Sequence, residues 1–460
     1  MRSIVIWQTF DPVRVLICAT VFLMLLTALG IPAVAGEKQF VTWVDENAVH
    51  FDSIEWRNIS PDDLSFLDDL LKGKRIVYLG ESDHWVNQKY DYRLILVRYL
   101  FDRGWRRIGM EMDFCDGKRI DRYLETGDSS HLERVALYGY KGGWREDRDD
   151  LPDGFPGFQN PEFRRSFIKQ EYRFLAALRS LDESLKRNSP RLSWFGFDVG
   201  LLPCVGYEDA REILAHQKDD PAIREIQRRM RLVPGESRSE EIQRLEGLLE
   251  FIEEKSNSVS RIIGKDRLRS LLRTLWHQAD YLHFAEAAKE GPRTMKWVQG
   301  LARREQRMAW LMDEILADLA PNEKIILMGH NLHLSKSSED IAFGPIGSPA
   351  PNMWTSIGTH LERKYPGEVY SVWMMYDHGV HGFVLKPEGF EHVPSNPASV
   401  EHLLAKVGEY FFLPLSSDED GISFLQEKRN FLQNGSIAHG VIAKHADALF
   451  FVREVNKLEE

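Results

Sequence analysis

Positive charge is in short supply: 59 Lys and Arg stand against 70 Asp and Glu, a net of -11 at neutral pH. An acidic body of this kind is a poor partner for nucleic acid. The chain has only three cysteines, Cys18, Cys115 and Cys204, and the absence of any paired C-x-x-C argues against a cysteine-built zinc site. There is no H-E-x-x-H helix of the zinc-protease type, no G-x-S-x-G turn for a serine nucleophile and no P-loop for a phosphate. Internal repeats and low-complexity tracts are absent, which leaves a globular body rather than a solenoid or a compositionally biased chain. Beyond the first 35 residues no run is apolar enough to span a membrane.

Those first residues are of a different character. Arg2 and Arg14 precede an apolar stretch over 15–29, followed by Gly30, Pro32 and Ala33-Val34-Ala35. The pattern reads as an export signal cut before Gly36, the alternative being an uncleaved membrane anchor, since 15–35 is just long enough to span. Either way residues 36–460 are expected outside the cytoplasm, periplasmic or extracellular, touching a membrane only through an uncleaved N-terminal segment. Loss of 1–35 removes Arg2, Arg14, Asp11 and Cys18 and takes the net charge from -11 to -12. An oxidising compartment permits Cys115 and Cys204 to pair; two separate thiols are the alternative, because sequence fixes no distance between them.

A helix is expected from Ser60-Pro61, with Leu64, Leu67, Leu70 and Leu71 on one face and Gly73 closing it. A strand over 75–80 and a polar turn follow, then an amphipathic helix on which Tyr92, Leu96, Tyr99 and Leu100 repeat until Gly104. With a strand over 107–112 this makes a β-α-β unit of parallel strands. Further strands are expected over 192–199, 324–329, 369–376, 382–385 and 448–452. Residues 128–162, rich in Gly, Pro, Asp and aromatics, read as a long ordered or gating loop. Residues from about 207 to about 319 contain no convincing strand and read as a helical insertion over the carboxyl edge of the sheet. The fold class is therefore α/β: a mixed, mainly parallel sheet flanked by helices.

Two strand ends carry histidines, in 76–84 (IVYLGESDH) and 325–333 (IILMGHNLH). Each apolar run breaks at a glycine, so a parallel sheet would bring Glu81, His84, His330 and His333 to its carboxyl edge, where open α/β sheets bind ligands. The run 107–113 (RIGMEMD) adds Glu111 at the end of what should be the adjacent strand. Glu81, three residues from His84, can orient that imidazole and raise its basicity. Ser82 and Asp83 read as helix caps. His330 and His333 cannot share a face of one straight strand, so the chain must turn at Asn331-Leu332. Arg93 reads, by spacing, as a surface ion-pair residue. Asp377, His378 and His381 read as hairpin turn residues, and Ser166-Phe167-Ile168-Lys169 as a chance S-x-x-K match inside a helix. Trp85 and Asn331, next in sequence to His84 and His330, and Asp198, near the end of the strand over 192–199, are expected to touch a substrate.

At these positions the chain resembles the erythromycin esterase family. That family's marks are a G-E-x-x-H turn after the first strand, an arginine on the following helix, a glutamate after the second strand and a late H-N-x-H turn. They fall on Glu81, His84, Arg93, Glu111, His330 and His333, in order. Weaker likeness runs through Tyr123-Leu124, Gly196-Phe197-Asp198, Ser356-Ile357-Gly358 and Asp447-Ala448-Leu449. The resemblance implies an erythromycin esterase-like hydrolase domain over 36–460 that cleaves an ester, in family members the macrolactone of a macrolide antibiotic, with an activated water and no cofactor. It implies His84 as general base, Glu81 and Glu111 orienting it or the water, and Arg93, His330 and His333 polarising the carbonyl. That moves Arg93 from the surface to a buried electrophile. Where the family usually has glycine, this chain has Trp85 and Leu332, whose bulk speaks against a macrolide more than against hydrolysis. Two other readings use the same fold. One is a metal-dependent hydrolase or peptidase with a divalent ion on Glu81, His84, Glu111, His330 and His333; the other is a non-catalytic binding protein that holds its ligand with the 128–162 loop.

Overall fold

The computed structural model describes residues 36–135, 156–184, 190–199, 206–217, 220–231, 233–289, 295–320, 322–415 and 423–457. The expected export signal, Cys204 and the middle of the 128–162 loop lie outside the described residues; Cys115 is buried.

The glycine-terminated apolar runs become the centre of a nine-stranded sheet. In chain order the strands are β1 (Val49–His50), β2 (Ile76–Glu81), β3 (Arg107–Asp113), β4 (Ser193–Asp198), β5 (Ile325–His330), β6 (Ala342–Phe343), β7 (Val369–Gly382), β8 (Phe390–Val393), β9 (Tyr410–Pro414), β10 (Arg429–Gln433), β11 (Ser436–Gly440) and β12 (Ala448–Val455). The large sheet runs β1-β9-β12-β7-β2-β5-β3-β4 with β8 against β7, while β10, β11 and β6 form a second sheet of three. From β12 to β4 all neighbours are parallel; β9, β1 and β8 pair antiparallel. Every residue of β2 and β5 is buried, as parallel strands covered on both faces require.

One expectation fails here: β2 and β3 are not adjacent, because β5 lies between them. Its register sets Glu81 directly beside His330 and Met110 beside Met328, so the late histidine turn enters between the two early carboxylates. The expected strand over 382–385 also fails, since β7 continues to Gly382 and carries Asp377, His378 and His381 within it rather than in a turn. The helix expected from Pro61 divides into a 3-10 turn, Pro61–Leu64, and a short helix, Leu67–Leu70.

The crossover from β2 is α1 (Gln88–Asp102); α2 (Phe114–Thr126) follows β3, and α3 (Pro161–Glu183) packs beside α1. The helical insertion comprises α4 (Gly206–Ile213), α5 (Pro221–Arg229), α6 (Arg238–Glu254), α7 (Ser256–Ile263), α8 (Lys265–Ala288) and α9 (Met295–Ala317), with no strand among its described residues. Leu245, Leu248, Ile252, Leu271 and Leu275 give it a core of its own. Its last helix belongs to two layers: Met308, Leu311, Met312 and Ile315 of α9 pack onto Phe114, Phe197 and Leu327 of the sheet region. Past β6, α10 (Ile357–Lys364) packs against α9.

Candidate active site

The turn after β2 aims His84. Glu81, the last residue of β2, accepts the His84 Nδ1–H through Oε1 at 2.7 Å, which leaves Nε2 with the lone pair. Behind Glu81 stand two buried cations from α1, Arg93 at 2.9 Å and Lys89 at 3.7 Å from Oε2. They share a face of α1 with Leu96 and Leu100, at spacings of four, seven and eleven residues from Lys89. Lys89 also lies 3.8 Å from Glu171 of α3 and donates to the His84 carbonyl; Tyr90 donates to Glu171 at 2.6 Å. Burial by itself would raise the Glu81 carboxyl, but Arg93 and Lys89 outweigh it and hold the pKa at about 2. Glu81 is thus an anion throughout the neutral range, and two cations and two anions balance in this wall of the site. Arg93 is fully buried on Glu81, which departs from the expectation of an arginine facing a carbonyl: its charge acts on the carboxylate.

The turn after β5 treats its two histidines differently. His330 is 2 % exposed, and its Nδ1 accepts from the Leu332 backbone N–H at 3.2 Å, which places its proton on Nε2. Burial, reinforced by the neighbouring His84, lowers its pKa to about 3. The Nε2–H has no partner among the described residues and the ring lies 5.0 Å, centre to centre, from that of His84. His333 instead has a carboxylate on each side, Glu305 at Nδ1 and Glu111 at Nε2, the latter at 3.1 Å. Burial opposes its charge, but Glu111 and Glu305 prevail and raise the pKa to about 10. With both nitrogens engaged, His333 is a fixed imidazolium.

Glu111 connects the halves. Its Oε2 accepts the His330 backbone N–H at 2.7 Å, while Oε1 lies 3.1 Å from both His333 Nε2 and Arg304 and 4.0 Å from His84 Nε2. Burial opposes its ionisation, yet His333 and His84 drive its pKa well below the usual carboxylate range. Backbone approach is close here: a Cβ at Gly329 would stand 2.9 Å from the Glu111 Cβ, and one at Gly80 would overlap the Asn331 side chain. These glycines are what let β2, β5 and the Glu111 side chain converge.

Sequence reasoning missed Arg304 and Glu305. Arg304 donates from Nε to Asp198 Oδ1 at 2.7 Å and from NH2 to Asp198 Oδ2, and Glu305 accepts the Ile357 backbone N–H at 2.9 Å at the start of α10. Their signal was present: with Leu301, Met308, Leu311, Met312 and Ile315 they occupy one face of α9, so two charges sat where the helical period calls for core residues. Of the expected substrate contacts, Asp198 is buried with both oxygens on Arg304, and Asn331 is buried with its amide donating to the Met374 carbonyl at 3.0 Å. Trp85 stands beside the His84 ring, packed edge-on against Phe163 and Phe167. Ser82 and Asp83 do not cap α1, whose N-cap is Asn87 without a side-chain bond. Among the described residues no three His, Cys, Asp or Glu side chains are grouped so as to hold a metal ion, and no helix is long and apolar enough to cross a membrane.

The pattern of the erythromycin esterase family matches residues 101–455. The chain belongs to the erythromycin esterase family. Glu81, His84 and Arg93 lie upstream of the matched span, so that half of the site stands on this chain's own geometry. A relative, YbfO of Bacillus subtilis (strain 168), provisionally named a hydrolase, is 22% identical over 351 residues, covering 74% of this chain and 72% of its own. The fold is shared with the erythromycin esterase EreC, solved as a mutant in its open conformation, at 17% identity, a TM-score of 0.64 and coverage of 88% and 97% of the two chains. It is shared as well with a Bacillus cereus protein at 16% identity, TM-score 0.66 and coverage of 92% and 99%. A third structure, a succinoglycan biosynthesis protein, gives 15% identity, TM-score 0.66 and coverage of 92% and 98%. Membership of the family and the relative's name class this esterase-family chain with the hydrolases.

Proposed function

We propose that this protein is an exported esterase that cleaves a carboxylic ester or lactone by general-base activation of water, with His84 as the base. The observation that carries the reading is the pairing of an aimed acceptor with an aimed donor. His84 Nε2 has its lone pair directed away from Glu81, and His330 Nε2–H, without a partner among the described residues, lies on the adjoining ring. The His84 side chain is 21% exposed, so water and substrate reach it.

In the reaction His84 Nε2 takes a proton from water as the water oxygen bonds to the acyl carbon. The carbonyl oxygen becomes an oxyanion, and the His330 Nε2–H donates to it; a neutral donor held in place serves here because it needs no reorganisation as charge develops. Taking the proton leaves a His84 imidazolium with Glu81 at 2.7 Å and Glu111 at 4.0 Å. It then protonates the departing alkoxide as the C–O bond breaks, leaving acid and alcohol. His333 and Arg304 fix Glu111 as a carboxylate. Trp85, beside the base, narrows the approach and favours acyl groups smaller or flatter than a macrolide ring.

His84→Ala tests the assignment. Loss of about 10²-fold or more in kcat/KM, with the fold kept, is the expected result for a general base; a folded variant that hydrolyses the best ester of a panel of lactones, aryl esters and peptides at the parent rate removes the proposal. Export rests on Arg2, Arg14 and the Ala33-Val34-Ala35 pattern. Sequencing of the mature N-terminus should begin at Gly36 outside the cytoplasm, and an intact Met1 on a cytoplasmic species contradicts it.

A further inference from the structure

The segment that carries Glu81 and His84 is held at almost every carbonyl by a different part of the chain. The Asn331 backbone N–H donates to the Glu81 carbonyl at 2.8 Å, that of Asn434 to Ser82 at 2.7 Å and that of Gly382 to Trp85 at 2.9 Å, and Lys89 donates to His84. The Asp83 side chain stands in the middle of this turn. It is fully buried, and its Oδ1 accepts the Trp85 backbone N–H at 2.9 Å, closing the bend from which the His84 side chain leaves. Its Oδ2 receives the Tyr376 hydroxyl at 3.1 Å and the His381 Nδ1–H, both from β7. Among the described residues none of these three side chains is hydrogen-bonded to Glu81, His84 or His330.

The way β7 delivers both partners is specific. Positions 376 and 381 are five apart, and in a regular strand an odd spacing sends side chains to opposite faces. Gly379 lies between them with φ 133, and a Cβ there would overlap the Val455 backbone. Only glycine adopts this conformation freely, and on either side of it Tyr376 and His381 both meet Asp83. His381 is 1% exposed, with Nε2 4.0 Å from Glu391. Burial works against its charge, but Asp83 outweighs burial and its pKa is raised. A core histidine that merely filled space would need neither a buried anion nor a glycine placed to turn it inward.

We propose that His381 is a positioning residue for hydrolysis: with Tyr376 it fixes the Asp83 carboxylate, and through the Asp83 bond to the Trp85 N–H it fixes the bend that aims His84. The proposal rests on the reading of His84 as the base. It assigns to β7, a strand that supplies no reacting group, the control of that base's direction.

The test compares His381→Leu, which keeps bulk and removes the donor, with His381→Asn, whose amide N–H can occupy the place of Nδ1–H. On an ester substrate, His381→Leu should lower kcat by about 10- to 100-fold with KM changed by less than about threefold, as misaiming by a fraction of an ångström does. His381→Asn should return kcat to within about fivefold of the parent. A second readout does not need turnover: the downfield proton of the His84 Nδ1–H···Glu81 bond, assigned by its absence in His84→Ala, should be sharp in the parent and in His381→Asn and broadened or displaced in His381→Leu. Should His381→Leu not fold, Tyr376→Phe removes the other partner of Asp83 and should move the same proton. An unmoved His84 proton, or a His381→Leu protein that is less stable but has the parent kcat, assigns His381 a purely structural part and overturns the proposal. If no ester is hydrolysed by the parent, the reading of the reaction fails while the proton measurement still decides the positioning.

Discussion

In the half of the site built by β2 and α1, both cations, Lys89 and Arg93, stand behind one carboxylate and the imidazole lies in front of it, partly open to solvent. In the half built by β5 and α9, the cations Arg304 and His333 are distributed among three carboxylates, Glu111, Asp198 and Glu305. The first arrangement leaves His84 with a directed lone pair. The second makes of two histidines, three residues apart, one neutral donor and one permanent cation. The residue type does not decide the role; the number of carboxylates within hydrogen-bond reach does. Among the described residues His330 has none at its side chain and burial holds it neutral, whereas His333 has two and is held charged.

The contrast breaks most completely at Arg304. Arg304→Met leaves Asp198 and Glu111 buried without their shared cation, and the expected loss is about 3–5 kcal/mol of unfolding free energy, the usual result of removing one partner of a buried pair. Urea unfolding measures it, and a loss under about 1 kcal/mol would show that α9 is not integral to the site. Next in size is the donor. His330→Ala should cost about 10² to 10³ in kcat, as for an oxyanion donor, whereas an equal rise in KM with unchanged kcat would make His330 a binding residue only.

The charge states of the two histidines are separated by stability against pH. His333 titrates near about 6.5 when unfolded and at about 10 when folded. The stability it contributes is therefore complete below about 6.5 and lost as the pH rises toward about 10. His330, at about 3 in the folded chain, contributes stability above about 6.5 that is lost as the pH falls toward about 3. His333→Gln should flatten the alkaline limb of the urea midpoint against pH, and His330→Ala the acid limb; a variant that changes the opposite limb contradicts the assignment. The smallest effect is expected from Glu305→Gln, which keeps an acceptor for His333 Nδ1 but removes one of its two charges. The alkaline loss of stability should still begin at about pH 6.5 but be smaller and end at a lower pH, with the neutral-pH rate reduced less than by His330→Ala.

The two halves also differ in how legible they were in the sequence. Glu81, His84, His330 and His333 were readable because an apolar run that breaks at a glycine marks a strand end by local signals alone, and Glu111 because it lies near the end of the short run over 107–113. That β5 enters between β2 and β3 was not readable, since strand order depends on contacts across some 250 residues of chain. Arg304 and Glu305 read as ordinary helix charges, although their place on the apolar face of α9 was a usable sign, and the same holds for Lys89 and Arg93 on α1. Tyr376 and His381 were hidden for another reason: strand alternation assigns them to opposite faces, yet both reach Asp83 from either side of Gly379, whose backbone angle no residue pattern states.

The central claim is that His84, aimed by Glu81, activates water for ester hydrolysis without a metal. Its most direct test is the rate on the best ester of the panel, measured for the exhaustively chelated parent protein beside chelated His84→Ala. The account predicts that the stripped parent keeps its full rate and that the folded variant loses about 10²-fold or more. A rate that disappears with chelator and returns with one divalent ion, or a folded His84→Ala protein as fast as the parent, would contradict it.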